Sequence, residues 1–128
     1  MTLETSKVLL IDDEPDVITF FTEVFGAFKH IKLFTAVKAR QGIEIAKQEK
    51  PKLILTDLRM PDLSGEDVLR ELKPLLPDTK FIVMTGWDDG ETREKISREF
   101  AVDAYFDKPI DLEKVMTKIF SLLMVKEV

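Results

Sequence analysis

The chain has 128 residues, 45% hydrophobic and 34% charged, the composition of one globular domain rather than a disordered segment. It contains no cysteine, which excludes disulfides, thiolate nucleophiles and thiolate metal sites, and its net charge of −5 argues against direct nucleic acid binding through a basic patch. No apolar run approaches a membrane span and the opening MTLETSKVLL lacks a basic signal-peptide start, so no membrane partner and a cytoplasmic location are expected.

In chain order, short apolar runs alternate with segments of helical period. Val8 to Ile11 reads as a first strand and is followed by Asp12, Asp13 and Glu14. Pro15 stands in the first turn of a helix, where proline is tolerated, and Val17, Phe20, Phe21, Val24 and Phe28 form its apolar stripe. A second strand, Ile31 to Phe34, leads to a helix with Ala39, Gly42, Ile43 and Ala46 inward, stopped before Pro51. The third strand, Leu53 to Leu55, runs into Thr56 and Asp57. A turn at Met60-Pro61 follows, and Ser64 with Asp67 forms a capping box that opens a helix with Val68, Leu69 and Leu72 inward. The fourth strand, Phe81 to Met84, ends in Thr85-Gly86. The helix over 90–100 is mostly charged, with Ile96 and Phe100 as its apolar residues, and is expected to be the most weakly anchored. The fifth strand, Ala104 to Phe106, passes through Asp107 to Lys108-Pro109. Asp111 then caps a last helix with Leu112, Val115, Met116, Ile119 and Leu123 inward.

Strand runs that do not alternate polar and apolar residues suit strands covered on both faces. The repeated β-then-α order therefore predicts one α/β domain over 1–128. Five such units could be wound into a parallel sheet of order 2-1-3-4-5, with right-handed crossovers and helices on both faces, a flavodoxin-like fold. All C-terminal strand ends then share one edge, and the first and third strands flank the crevice where the order reverses.

That edge collects Asp12, Asp13, Asp57, Thr85 and Lys108, with the three aspartates nearest one another. At about 4 Å and an effective dielectric near 20, each carboxylate pair repels by roughly 4 kcal/mol before screening. A hard dication would relieve this, and an all-oxygen donor set favours Mg²⁺ over Zn²⁺. Mg²⁺ commonly shares its shell with phosphate oxygens, so the edge suits a phosphoryl group, with Lys108 and Thr85 as further partners for its oxygens. Singly, these residues have plainer readings: Asp12-Asp13 as a solvated strand end, 60–65 as a turn, Tyr105 as an edge residue with its hydroxyl in water, and 91–99 as a solvated face. His30 sits at a helix-to-strand junction with no partner motif for phosphotransfer.

Four motifs in register change that balance. LIDDEP at 10–15, TDLRMPDLSG at 56–65, VMTG at 83–86 and AYFDKPI at 104–110 resemble the receiver domain of two-component response regulators, the CheY-like family, over essentially the whole chain. The resemblance implies that Asp57 is the phosphoacceptor. The phosphoryl group would come from the phosphohistidine of a sensor histidine kinase or a histidine phosphotransfer protein. It implies a Mg²⁺ site of Asp12, Asp13, Asp57 and the backbone carbonyl of Arg59. Thr85 and Lys108 would bind the phosphoryl oxygens, and Tyr105 would be the aromatic switch residue. Pro61, Gly65, Gly86 and Pro109 would shape the loops, with Lys108-Pro109 in the cis form. An output domain or target protein would be engaged through the face made by the fourth helix, fifth strand and fifth helix. Such a chain catalyses its own phosphorylation and dephosphorylation without turning over a separate substrate. An alanine often follows the switch threonine in this family. Here Gly86 is expected to loosen the loop, and Trp87 to cover the acyl phosphate and modulate water access.

Two other functions compete. A pseudo-receiver would bind partners without phosphotransfer, but Asp12, Asp13, Asp57, Thr85 and Lys108 are all present. A Mg²⁺-dependent phosphatase of the haloacid dehalogenase type would carry a second aspartate two residues after its nucleophile. Arg59 stands there, and no substrate-capping segment is recognisable.

Overall fold

The elements run β1 (Ser6–Ile11), α1 (Pro15–Gly26), β2 (Ile31–Ala36), α2 (Ala39–Glu49), β3 (Leu53–Asp57), α3 (Gly65–Leu75), β4 (Lys80–Thr85), α4 (Gly90–Phe100), β5 (Ala104–Asp107) and α5 (Leu112–Met124). They belong to a computed structural model that describes residues 5–86 and 90–124, so Trp87 lies outside the described residues. The strands form one parallel sheet, as the alternation predicts, and its order is β2-β1-β3-β4-β5.

Several strands extend beyond the apolar runs that mark them. The ladder continues through Asp57 opposite Met84 and through Thr85 opposite Asp107. The polar residues at these strand ends are therefore held by sheet hydrogen bonds rather than by loops.

Side chains alternate across the sheet, and each set finds an apolar layer. Leu9, Ile11, Ile54, Phe81 and Val83 pack on one face with Ile43 and Ala46 of α2, Val68, Leu69 and Leu72 of α3, and Ile96 of α4. Val8, Leu10, Leu53, Leu55, Ile82 and Met84 pack on the other with Phe21 and Phe25 of α1 and Val115, Ile119 and Leu123 of α5. Each of the larger side chains contributes roughly 1.5–3 kcal/mol by leaving water. Coverage of both faces is why the central strands read as unbroken apolar runs. Gly42 lets α2 approach β1 closely, since a Cβ there would lie 2.5 Å from Ile11 Cδ1.

Two inward assignments are corrected. Phe28 lies beyond the end of α1 and is 38% exposed, its ring meeting Phe120 edge-on at 5.0 Å. Phe25, one turn after Phe21, takes the buried place instead. Leu112 is 41% exposed. As the first residue of α5 it directs its side chain toward the helix N-terminus, away from the layer that the later turns cover. The capping box of α3 is present, with Ser64 Oγ accepting the Asp67 N–H at 3.1 Å and Asp67 Oδ2 accepting the Ser64 N–H at 3.2 Å. Asp111 caps α5 by accepting the Lys114 N–H at 3.2 Å. Ile96 is the buried residue of α4, as expected for a thinly anchored helix.

Candidate functional site

β1 pairs with β2 on one side and β3 on the other, and the crevice of the sheet opens beyond Ile11 and Asp57. Asp12, Asp13 and Asp57 each offer a carboxylate oxygen there, all within 4.8 Å of one another. Asp12 is fully buried and Asp57 is 5% exposed, whereas Asp13 faces solvent. Buried carboxylates need donors. Asp12 Oδ1 accepts the Glu14 N–H at 2.9 Å, and Asp57 Oδ1 accepts the Arg59 N–H at 3.1 Å.

Lys108 supplies the rest. Its Nζ donates to Asp12 Oδ2 and to Asp57 Oδ2, both at 2.8 Å, and also to the Glu14 carboxylate. The repulsion expected among the aspartates is thus partly relieved by the chain's own ammonium. Burial pushes the Asp12 carboxyl above its ordinary range, against the opposing pull of Lys108 and the Glu14 amide. Burial also favours the neutral amine of Lys108. Its bonds to Asp12, Asp57 and Glu14 outweigh that and hold the ammonium well above its usual value. Among the described residues, the four carboxylates of Asp12, Asp13, Glu14 and Asp57 gather around the one ammonium of Lys108. The donors of the aspartate set are all oxygen, so its chemistry fits a hard dication such as Mg²⁺.

The loops that hold these groups are tightly specified. Gly65 opens α3 directly beneath the end of β3: a Cβ there would meet the Asp57 carbonyl oxygen at 2.5 Å and Leu58 Cα at 2.8 Å, so only glycine fits. The Gly65 N–H donates to the Leu58 carbonyl at 2.8 Å, and Arg59 bridges Ser64 across the same loop, with Pro61 exposed at its surface. Thr85 is buried at the end of β4. Its carbonyl accepts the Lys108 N–H at 2.8 Å, which fixes the start of the Lys108-Pro109 segment, and that peptide bond is cis. At Gly86 a methyl would touch Lys108 Cβ at 3.8 Å, an ordinary contact.

Tyr105 departs from the solvent-facing reading. Its hydroxyl is buried, and the Arg93 guanidinium of α4 lies 4.5 Å from its ring centroid. Arg93 also donates to the Tyr105 carbonyl at 3.4 Å and reaches Asp107 at 3.8 Å. Glu14, Arg93 and Asp62, whose carboxylate accepts the Ala39 and Arg40 amides, are the residues that the sequence pattern did not single out. Glu14 was visible as a third acid in LIDDEP, while the contacts of the other two arise only from packing.

The sequence pattern of the response regulator receiver domain matches residues 8–120. The chain belongs to this family. This receiver domain is 26% identical over 120 residues to sporulation initiation phosphotransferase F of Bacillus subtilis (strain 168), covering 94% of this chain and 95% of that protein. It is 33% identical over 116 residues to the transcriptional regulatory protein MctR of Rhizobium johnstonii, covering 88% of this chain and 53% of that one. The chain thus spans nearly all of the first relative and about half of the second. A solved CheY-like response regulator receiver domain protein from Methanospirillum hungatei JF-1 superposes with a TM-score of 0.88 at 26% identity, covering 97% of this chain and 98% of that one. No helix among the described residues is long and apolar enough to cross a membrane.

Proposed function

We propose that this receiver domain, spanning 1–128, is a cytoplasmic phosphorylation-activated switch whose phosphoacceptor is Asp57. The observation that carries the reading is a nearly buried carboxylate at a rigid strand end, bonded to an ammonium and set among further carboxylates. An Asp57 oxygen attacks the phosphorus of a phosphohistidine. The P–O bond forms, the P–N bond breaks, and the electron pair stays on the imidazole nitrogen. Hydrolysis of the acyl phosphate returns the carboxylate. Asp12, Asp13, Asp57 and the Arg59 carbonyl would hold Mg²⁺, which when bound neutralises phosphoryl charge. Lys108 and Thr85 orient the phosphoryl oxygens. Rigid support of Asp57 by Gly65 and the β3–β4 ladder supplies the positioning on which such transfers depend.

A sensor histidine kinase or histidine phosphotransfer protein is the donor, and the α4-β5-α5 face, with Tyr105 within it, passes the change to an output domain or target protein. The relatives' names, a phosphotransferase and a transcriptional regulatory protein, agree with phosphotransfer feeding an output. Incubation with acetyl phosphate and Mg²⁺ tests the reading. One phosphoryl group should be gained, labile to hydroxylamine and dependent on Mg²⁺, and Asp57→Asn should abolish it. Equal incorporation in Asp57→Asn would overturn it.

A further inference from the structure

The charged run 91–99 does have a solvated face, made by Glu94 and Arg98, which pair with each other at 3.1 Å. Other charges of the run turn to two neighbours. Arg93 lies against Tyr105 and Asp107 of β5. Lys95 and Glu99, one turn apart on α4, face Glu66 and Arg70, one turn apart on α3.

These last four charges alternate in sign. Lys95 Nζ meets Glu66 at 3.0 Å, Glu66 meets Arg70 at 3.2 Å within α3, and Arg70 reaches Glu99 at 3.7 Å. The contacts therefore leave α4, run one turn along α3 and return to α4. Glu66 is the best shielded member, with 23% of its side chain exposed. Lys95, against the opposing effect of burial and ahead of Arg70, holds the Glu66 carboxyl below its ordinary range. The Arg70 guanidinium also lies 5.5 Å from the Phe100 ring, and Lys73 donates to the Ala101 carbonyl at 3.4 Å, just past the end of α4. Apolar burial holds α4 less firmly than its neighbours. Ile96 is its buried residue, whereas α2 and α3 each bury four. Surface ion pairs count for little beside a large apolar interface, but beside one buried isoleucine they are a sizeable share of what seats the helix.

We infer that Lys95, Glu66, Arg70 and Glu99 form an ionic latch that seats α4 on α3, so that local opening of α4 is set by charge and by ionic strength. The latch belongs to the resting fold and is independent of whether Asp57 takes a phosphoryl group. Because α4 is one side of the face proposed above to carry the output, the latch makes the resting order of that face sensitive to salt.

Hydrogen exchange of the α4 amides over 94–98 tests the latch in wild type, Glu66→Gln, Lys95→Met and the double variant at low salt. Lys95→Met keeps most of the apolar stem and drops the charge. Each single variant should exchange about threefold faster than wild type, with the amides of α2 and α5 unchanged. The double variant should also be about threefold faster, because the second substitution removes a contact already lost. The cycle separates this contact from the favourable place of Glu66 in the first turn of α3. In about 1 M NaCl, where the screening length is about 3 Å, wild type should approach the double variant. Independent effects that multiply to roughly ninefold in the double variant overturn the latch. Unchanged exchange in both single variants does so too, as does a rise shared equally by α2 and α5.

Discussion

The carboxylate of Asp62, in the loop that follows Asp57, accepts the backbone N–H of Ala39 at the opening of α2 at 2.9 Å. Its other oxygen accepts the Arg40 N–H at 2.9 Å. Lys38, the N-cap residue of α2, has no side-chain cap, so the helix is capped from 22 and 23 residues away. The arrangement ties the loop beyond β3 to a helix on the flank of the sheet. The Arg40 amide, followed by that of Ala39, holds the Asp62 carboxyl below its ordinary range.

Asp62→Ala should lower the melting temperature at neutral pH, because two helix N-terminal amides lose their acceptor. A carboxylate with a depressed native pKa stabilises the fold above its unfolded pKa, and that contribution is lost as pH falls through the native value. The gap between wild type and Asp62→Ala should therefore be full near pH 7 and close below about pH 4. Thermal unfolding across that range checks it. A gap independent of pH would assign the effect to something other than the carboxylate.

Gly65→Ala should disturb stability and phosphotransfer together. The added methyl meets backbone atoms of Asp57 and Leu58, which cannot rotate aside. A cost of about 1–3 kcal/mol is expected from such overpacking. Phosphorylation of Asp57 should fall by more than about tenfold, because a shifted nucleophile loses its alignment. If the variant reacts with acetyl phosphate at the wild-type rate, the contact does not position Asp57.

Lys108 and Asp13 should have opposite effects on stability without divalent cations. Lys108→Met removes the donor shared by two buried carboxylates, and the scale of breaking a buried pair is about 3–5 kcal/mol. Asp13→Asn removes an exposed charge from a negative cluster and should stabilise by up to about 1 kcal/mol. Denaturant unfolding in EDTA should show this order, and added Mg²⁺ should narrow both differences. A destabilised Asp13→Asn in EDTA would mean that this carboxylate is structurally paired.

The switch should run through a Tyr105 whose hydroxyl starts from a buried position. In Thr85→Ala, Asp57 should still be phosphorylated. Beryllofluoride with Mg²⁺ should then no longer produce most of the amide shift changes over 90–106 that it causes in wild type. Arg93→Ala removes the guanidinium lying over the Tyr105 ring and should loosen α4 by about 1 kcal/mol. Hydrogen exchange of α4 should rise in that variant even without activation. A full wild-type response in Thr85→Ala would exclude Thr85 as the relay.

The sequence by itself determined the alternation of strands and helices, the inward faces of α2 and α3, and the gathering of Asp12, Asp13, Asp57, Thr85 and Lys108 at one edge. These follow from local periodicity and from the rule that parallel strands end on one side, and both are properties of neighbouring residues. Only the tertiary structure decided which charges meet. Lys108 reaches Asp12, Asp57 and Glu14 because β5 ends beside β4 and the Thr85 carbonyl holds the Lys108 amide, a placement no window of sequence contains. Asp62 found α2, and Arg93 covered Tyr105, in the same way. The exposure of Phe28 and Leu112 came from where their helices stop and start. Hydrophobic pattern encodes which face is buried; the pairing of polar groups depends on distances across the fold, and these are set only when the layers pack.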